Sequence, residues 1–447
     1  MTTVSSSPVA AIATGSRART VHAEFMQIWE EGYVSNHISF ENMQVPGLFI
    51  VEGGPLLQED GTLDRARIRA YVEATMASSA AFRLRLQRSF LGLTPPAWVP
   101  DEDFDLDRHI IFADDVAEFA TSDLRELSGA SDPVFSQRHP LWRVRATALT
   151  DGNVAIGIMM HHASLDGLSG MRLFSSVSQG SSEEPVPLPR DPFTDARAAR
   201  AWQLPFLALS QWWTREGSPR AAWRSYWTKP FLRRVRRVAA RVTLPLRYSL
   251  GGEEARANAL PPRHSAYRKL DAAAAGRRAR SLGGTLSDLQ VSAIIGAWGG
   301  EERVVRLRFP VSFHSSAASH IRNHVRDMEV YGDADADLSV TLPSVHEQVE
   351  SRDDSKPYPE VPGFPIGYST LLPWVSRPRY FCGGEIIDVA PFPASLGRDS
   401  LAAAGIMYRG QLFIGANMPI DADVEGTVGR IYSLMTGDPD PGRAARA

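Results

Sequence analysis

Residues 153–167 read Asn153-Val-Ala-Ile-Gly-Ile-Met-Met160-His161-His162-Ala163-Ser164-Leu165-Asp166-Gly167. Upstream, Trp142-Arg143-Val144-Arg145-Ala146-Thr147-Ala148-Leu149 alternates apolar residues with polar or small ones. Thr150-Asp151-Gly152-Asn153 supplies a turn, because Gly and Asn tolerate positive φ, and the apolar run to Met160 returns. The spacing predicts a hairpin whose second strand delivers His161 and His162 at its tip. Past Asp166-Gly167, the residues Leu168, Met171, Leu173 and Phe174 recur at helical spacing. Strand-to-helix turns are frequent places for reacting side chains, since rigid elements hold a short loop.

These residue types carry a specific chemistry. A histidine titrates near neutral pH, so it can take a proton from a hydroxyl or amine as that group attacks a carbonyl. Successive side chains on a strand point to opposite faces, so one histidine faces a reaction centre and the other the packing side. Asp166 is placed to hold the turn, by accepting backbone N–H bonds or pairing with an arginine. Gly167 permits a close approach that a Cβ would hinder. On spacing alone three readings stand: a base for acyl transfer, two metal ligands, or polar residues capping a turn. The metal reading needs His162 and Asp166 on one helix, and Asp166-Gly167 looks like a break before one. Ser164 and Ser169 lie nearby, but neither sits in a G-x-S-x-G elbow.

The segment resembles the HHxxxDG motif of coenzyme A-dependent acyltransferases related to chloramphenicol acetyltransferase and to peptide-synthetase condensation domains. Flanking residues narrow the likeness to the bacterial wax ester synthase/diacylglycerol acyltransferase family. Pro96-Ala-Trp-Val-Pro-Asp-Glu-Asp-Phe-Asp-Leu-Asp-Arg-His109 is similar to its W-V-x-D-x-x-F-D-L-x-x-H, and Pro140-Leu141-Trp142 to its P-L-W. Pro310-Val-Ser312, Asn323 and Tyr368-Ser-Thr-Leu-Leu-Pro373 fall where the family has P-V-S, G-N and a strand ending in S-N-x-P. The likeness covers about residues 40 to 430. There are departures. The family's N-D pair is Ser287-Asp288, the Gly of G-N is Arg322, and Ser369-Thr-Leu-Leu-Pro373 replaces S-N-x-P. The stretch His22–Trp29 also matches the usual family opening poorly. They leave the acyl-transfer centre intact and the acyl and acceptor preferences open.

The resemblance implies an α/β (α+β) fold of two chloramphenicol-acetyltransferase-like subdomains with a central tunnel at their interface. It makes His162 the general base, with His161 and Asp166 completing the catalytic set. Its substrate-binding set is Gly167, Pro140, Leu141, Trp142, Ser287, Asp288 and Asn323, with no metal and no cofactor, acyl-CoA being a substrate. The implied activity is an acyl-CoA-dependent O-acyltransferase acting on an alcohol, in the family's usual chemistry a long-chain alcohol or diacylglycerol. Two alternatives stay open: acylation of a specialised-metabolite alcohol or amine, and a degenerate relative that binds acyl-CoA or a carrier protein without turnover. Thr285 and Asp288 also form a capping-box pattern at the start of a helix running to Trp298, a structural role for the same aspartate.

At 447 residues the chain exceeds one ordinary core and fits two domains. A net charge of −3 offers no global attraction to nucleic acid, and no nucleic-acid partner is expected. The single Cys382 excludes an intrachain disulfide, which points to the reducing cytoplasm, and it reads as a buried thiol. No run of about 18 apolar residues is present. Residues 1–20 are Ser/Ala-rich, with arginines after the apolar residues, the wrong order for a secretory signal; they are expected to form a disordered tail.

The expected division is 21–180 for the N-terminal subdomain, 181–262 for a linker and helical crossover, and 263–447 for the C-terminal subdomain. Ser, Glu, Pro and Asp crowd residues 179–195, as in a surface linker. Trp202, Trp212, Trp213, Trp223 and Trp227 follow, then Arg233, Arg234, Arg236, Arg237 and Arg241. That interleaving suits a membrane or lipid-droplet surface or an anionic coenzyme. It equally suits a crossover whose indoles pack on a domain beneath a solvated basic face. Further along, Arg303–Ser312 reads as a strand and Gly405–Asn417 as a hairpin turning at Arg409-Gly410.

Overall fold

Two six-stranded sheets carry the chain, each with its own apolar core. The computed structural model describes residues 19–26, 31–34, 43–119, 123–164, 167–215, 263–312, 325–353, 360–393 and 401–440. The first sheet runs β14 (Tyr380–Phe381), β15 (Gly384–Pro391), β3 (Gln44–Glu52), β8 (Asn153–His161), β7 (Trp142–Ala148) and β6 (Ile110–Phe112). The expected hairpin is β7–β8, antiparallel, with Trp142 opposite Met160 and Ala148 opposite Val154. β8 is buried along almost its whole length, as its unbroken apolar run requires for a central strand. Burying one Val or Ile side chain contributes about 1.5–3 kcal/mol, so Val154, Ile156 and Ile158 hold the histidine strand firmly.

The second sheet runs β10 (Arg263–Asp271), β17 (Gln411–Pro419), β16 (Leu401–Tyr408), β13 (Phe364–Pro373), β11 (Val304–Ser312) and β12 (Val325–Asp333). Helices Ala272–Ser281, Leu286–Gly296, Leu338–Glu350 and Val424–Thr436 share its core. Leu286–Gly296 is buried from Asp288 through Ile295, which explains why its apolar residues do not form a single stripe. The β16–β17 hairpin turns at Arg409 (φ 52°) and Gly410 (φ 76°), two consecutive left-handed residues, as expected of a two-residue turn. Two small sheets complete the set among the described residues: β2 (Glu24–Phe25) with β5 (Ala97–Pro100) and β4 (Leu84–Gln87), and β1 (Thr20–His22) parallel to β9 (Ala196–Ala198).

The division at residue 263 needs one correction. β14 and β15 lie late in the chain yet belong to the first sheet, where Val389 pairs with Phe49 and Pro391 with Gly47. β15 covers the edge of β3, which would otherwise expose unpaired backbone groups, and Ile386 and Val389 enter the first core. Within the stretch expected to be a linker and helical crossover, the described residues hold β9 and the helix Leu204–Arg215. The tail before residue 19, and the rest of the Trp- and Arg-rich stretch from 216 to 262, lie outside the described residues. Cys382 is buried, and its thiol is pushed up to about 11 by that burial, so it stays protonated and inert near neutrality.

Candidate active site

The end of β8 is held by backbone hydrogen bonds on both sides. His161 N donates to Leu141 O at 3.0 Å, and His162 N donates to Met43 O at 2.7 Å. The imidazole of His161 is fully buried, and its Nδ1 accepts from Ala163 N at 3.1 Å, which tightens the turn. His162 is partly exposed, and the ring of Tyr33 lies 5.3 Å from its own. Both histidines border a cavity; His161, the last residue of β8, is buried and His162, just past it, is partly exposed.

The cavity measures about 460 Å³, within the size range of small-molecule sites, and lies between the two halves. Its walls divide by chemistry. Toward one end Phe49 (β3), Ile158 (β8) and Phe174 (helix Gly167–Val177) face Leu372 (β13) and Ile406 (β16), an apolar arm. At the other end His162 and Tyr33 share the wall with Arg308, Asp327 and Tyr368 of the second sheet. Sheet register explains that grouping: Asp327 is opposite Pro310 on β11, and Arg308 is beside Tyr368 on β13.

Arg308 Nε and Asp327 Oδ2 are 3.9 Å apart. Burial between the two halves pushes the Asp327 carboxyl above the usual range, with Arg308 and then His162 working against it. Burial likewise holds the Tyr368 phenol above its ordinary value, reinforced by Asp327 and opposed by a hydrogen bond from Thr370. Near neutrality Tyr368 therefore keeps its proton and can donate it to a hydrogen bond.

The structure does not bring every expected residue here. Leu141 and Trp142 are core residues, each 2% exposed, and neither they nor Pro140 border the cavity. Trp142 donates its indole N–H to Phe82 O at 2.7 Å and stacks on His109 with ring centroids 4.5 Å apart. His109 donates from Nδ1 to Trp142 O at 2.8 Å, and burial lowers it to about 4, so it is neutral. These residues brace the hairpin that presents His162. Asp288 caps its helix, accepting from Thr285 N and Oγ1 at 2.9 and 2.7 Å, and it also meets His346 Nδ1 at 2.8 Å. All three contacts fall on its Oδ2, and Asp288 does not border the cavity. Ser287 borders a separate hollow of about 250 Å³ that shares Pro310, Thr370 and Leu371 with the main cavity wall. Gly167 is the first residue of the helix after the motif. Asp166 and Asn323 lie outside the described residues. Tyr33, Arg308 and Asp327 were not among the expected site residues, and only Pro310 and Tyr368 in the neighbouring motifs marked that wall.

Two layered subdomains, a late strand of the chain returned to the first sheet and a histidine bordering their shared cavity define a chloramphenicol-acetyltransferase-like fold. The wax ester synthase/diacylglycerol acyltransferase from Marinobacter aquaeolei matches it with a TM-score of 0.57 over 92% of this chain and 98% of its own, at 17% identity. The first condensation domain of the calcium-dependent antibiotic synthetase matches with 0.55 over 94% and 97%, at 13% identity. At such identities the likeness speaks for fold alone. In sequence, residues 52–289 match the wax ester synthase/diacylglycerol acyltransferase catalytic domain, more than half of the chain. The chain belongs to that family of acyltransferases. A Mycobacterium tuberculosis protein named as a diacylglycerol O-acyltransferase is 30% identical over 128 residues, 28% of this chain and 25% of that one. Another from the same organism is 33% identical over 116 residues, 26% and 23% of the two chains. The matched stretch spans about a quarter of the length of these curated relatives.

Proposed function

We propose that the protein transfers an acyl group from a coenzyme A thioester to an alcohol, with His162 as general base. The observation that carries this reading is the position of His162, partly exposed at the polar end of a seam cavity whose other arm is apolar. In the proposed step His162 takes the proton of the acceptor hydroxyl as its oxygen attacks the thioester carbonyl carbon. The new C–O bond forms, the C–S bond breaks, and the leaving thiolate recovers the proton from the imidazolium. The protonated Tyr368 phenol and nearby backbone N–H groups are candidate donors to the oxyanion. The apolar arm takes an aliphatic chain. Thiol release from purified protein with labelled acyl-CoAs, measured with and without an alcohol, tests the reading. Release that needs the acceptor supports it, and binding without release points to the non-catalytic alternative.

The same reading sets the protein against a lipid surface in the cytoplasm. Phe90 N donates to Ala201 O at 3.0 Å, which joins two loops carrying exposed apolar side chains. Phe90, Leu91, Leu93, Trp202, Phe206 and Leu209 are each more than half exposed. Such clustered apolar exposure fits interfacial insertion. No helix among the described residues is long and apolar enough to cross a membrane. Co-sedimentation with anionic vesicles, lost on Phe206→Asp together with Leu209→Asp, tests this contact.

A further inference from the structure

The reacting end of the cavity carries more charge than a hydrocarbon substrate can use. Asp327 borders that end, and its side chain is 47% exposed. The Arg308 contact at 3.9 Å is an ion pair beyond hydrogen-bond length, and a carboxylate offers about four acceptor sites. Accepting capacity therefore remains on Asp327. Arg308 stands in register with Tyr368, whose phenol feels the charge of Asp327 and has its side-chain hydrogen bond with Thr370. His162 faces the same space from the first half. When a substrate fills that space, acceptor sites of the carboxylate that the ion pair does not reach lose their solvation, which is disfavoured. A ligand that supplies a donor removes that penalty.

We infer that Asp327, paired with Arg308, forms a head-group subsite for a second hydrogen-bond donor on the acceptor, a hydroxyl or an ammonium. The inference rests on the acyl-transfer reading above and narrows its acceptor to a diol or an amino alcohol. A plain alkanol has a single hydroxyl, which His162 consumes. A diacylglycerol likewise has one hydroxyl, and its esters only accept. Neither brings anything for Asp327 to hold.

The test compares three acceptors of equal carbon count: a primary alkanol, the vicinal diol and the amino alcohol. The readout is kcat/KM for acceptor-dependent thiol release. The native protein is expected to favour the diol or amino alcohol over the alkanol by about ten- to hundred-fold, the worth of one hydrogen bond to a charged group. Asp327→Leu should collapse that ratio. Should its melting profile show that it does not fold, Asp327→Asn, which keeps an acceptor and loses the charge, should lose the preference for the amino alcohol. A native preference for the alkanol overturns the inference. So does a ratio unmoved in the variants with all three rates lowered alike, which would make Asp327 a positioning partner of His162. Calorimetric titration of the diol and the alkanol into His162→Ala supplies a second arm. Tighter diol binding is expected, and equal binding overturns the subsite. If no thiol is released with any donor while the diol still binds tightly, acyl transfer fails and the subsite stands.

Discussion

The indole N–H of Trp374, on the chain leaving β13, donates to Ser175 Oγ on the first-half helix at 2.7 Å, so the two halves are pinned behind the apolar arm. The pin lies where Phe49 and Phe174 stack at 4.3 Å, and Trp374 packs on both rings, 6.0 and 5.3 Å away, and on Tyr408 at 4.6 Å. Phe49 and Phe174 border the cavity, so Trp374 backs its end. Trp374→Ala should lengthen the arm and move the preferred thioester toward longer saturated chains, while lowering stability by about 3–5 kcal/mol at most. Rates across a chain-length series check this. A folded variant with an unchanged chain-length profile would place the chain elsewhere.

His162→Ala should lower acceptor-dependent thiol release by about 10²–10⁴, the usual contribution of a general base, with the melting temperature kept. His161→Ala removes a fully buried ring and its hydrogen bond from Ala163, so its loss should register mainly in the melting temperature. The two profiles measured side by side decide the assignment. Near-normal turnover in His162→Ala refutes it.

Acid should weaken the first half through His109. Its pKa is depressed to about 4 in the fold against 6.5 in the open chain, so unfolded chains take up the proton first. The stability it contributes is present above about pH 6.5 and is lost as pH falls toward 4, on the order of 3 kcal/mol in all. His109→Asn keeps a donor for Trp142 O without that titration. Urea midpoints at pH 4.5 and 7 should differ less for it than for the native chain. An equal difference would mean that other groups govern the acid response.

Gly367→Ala should disturb Tyr368 next to it. Gly367 has φ 148° at an irregularity in the β11–β13 register, and a Cβ there would meet Leu401 O at 1.7 Å. The strand must shift to admit the methyl group, and Tyr368 shifts with it. Turnover and melting temperature should therefore fall together. A variant with native turnover would show that Tyr368 does not need its present place.

How far the chain could be read in advance depended on range. The β7–β8 hairpin was legible because its turn residues, alternation and apolar run are all local. The capping box at Thr285 and Asp288 was legible for the same reason, and there the local reading fits the structure better than the substrate contact inferred by resemblance. Pro140, Leu141 and Trp142 form a recognisable motif, but a motif does not say whether it touches substrate or braces what does. Arg308, Asp327 and Tyr368 meet only through the register of three strands, two of them consecutive and the third further along the chain. Their polar character was visible, whereas their common wall was not.

The pairing of Val51 with Ile386 also bears on how the protein is made. A ribosome releases the first sheet's strands from β3 to β8 long before β15 exists, so that sheet must wait with one side of β3 open until most of the chain has emerged. Such late, distant pairing slows folding and leaves an adhesive edge exposed in the meantime. Expressing the first half alone should yield a chain that clumps through that edge, and adding residues 380–391 as a separate peptide should relieve it.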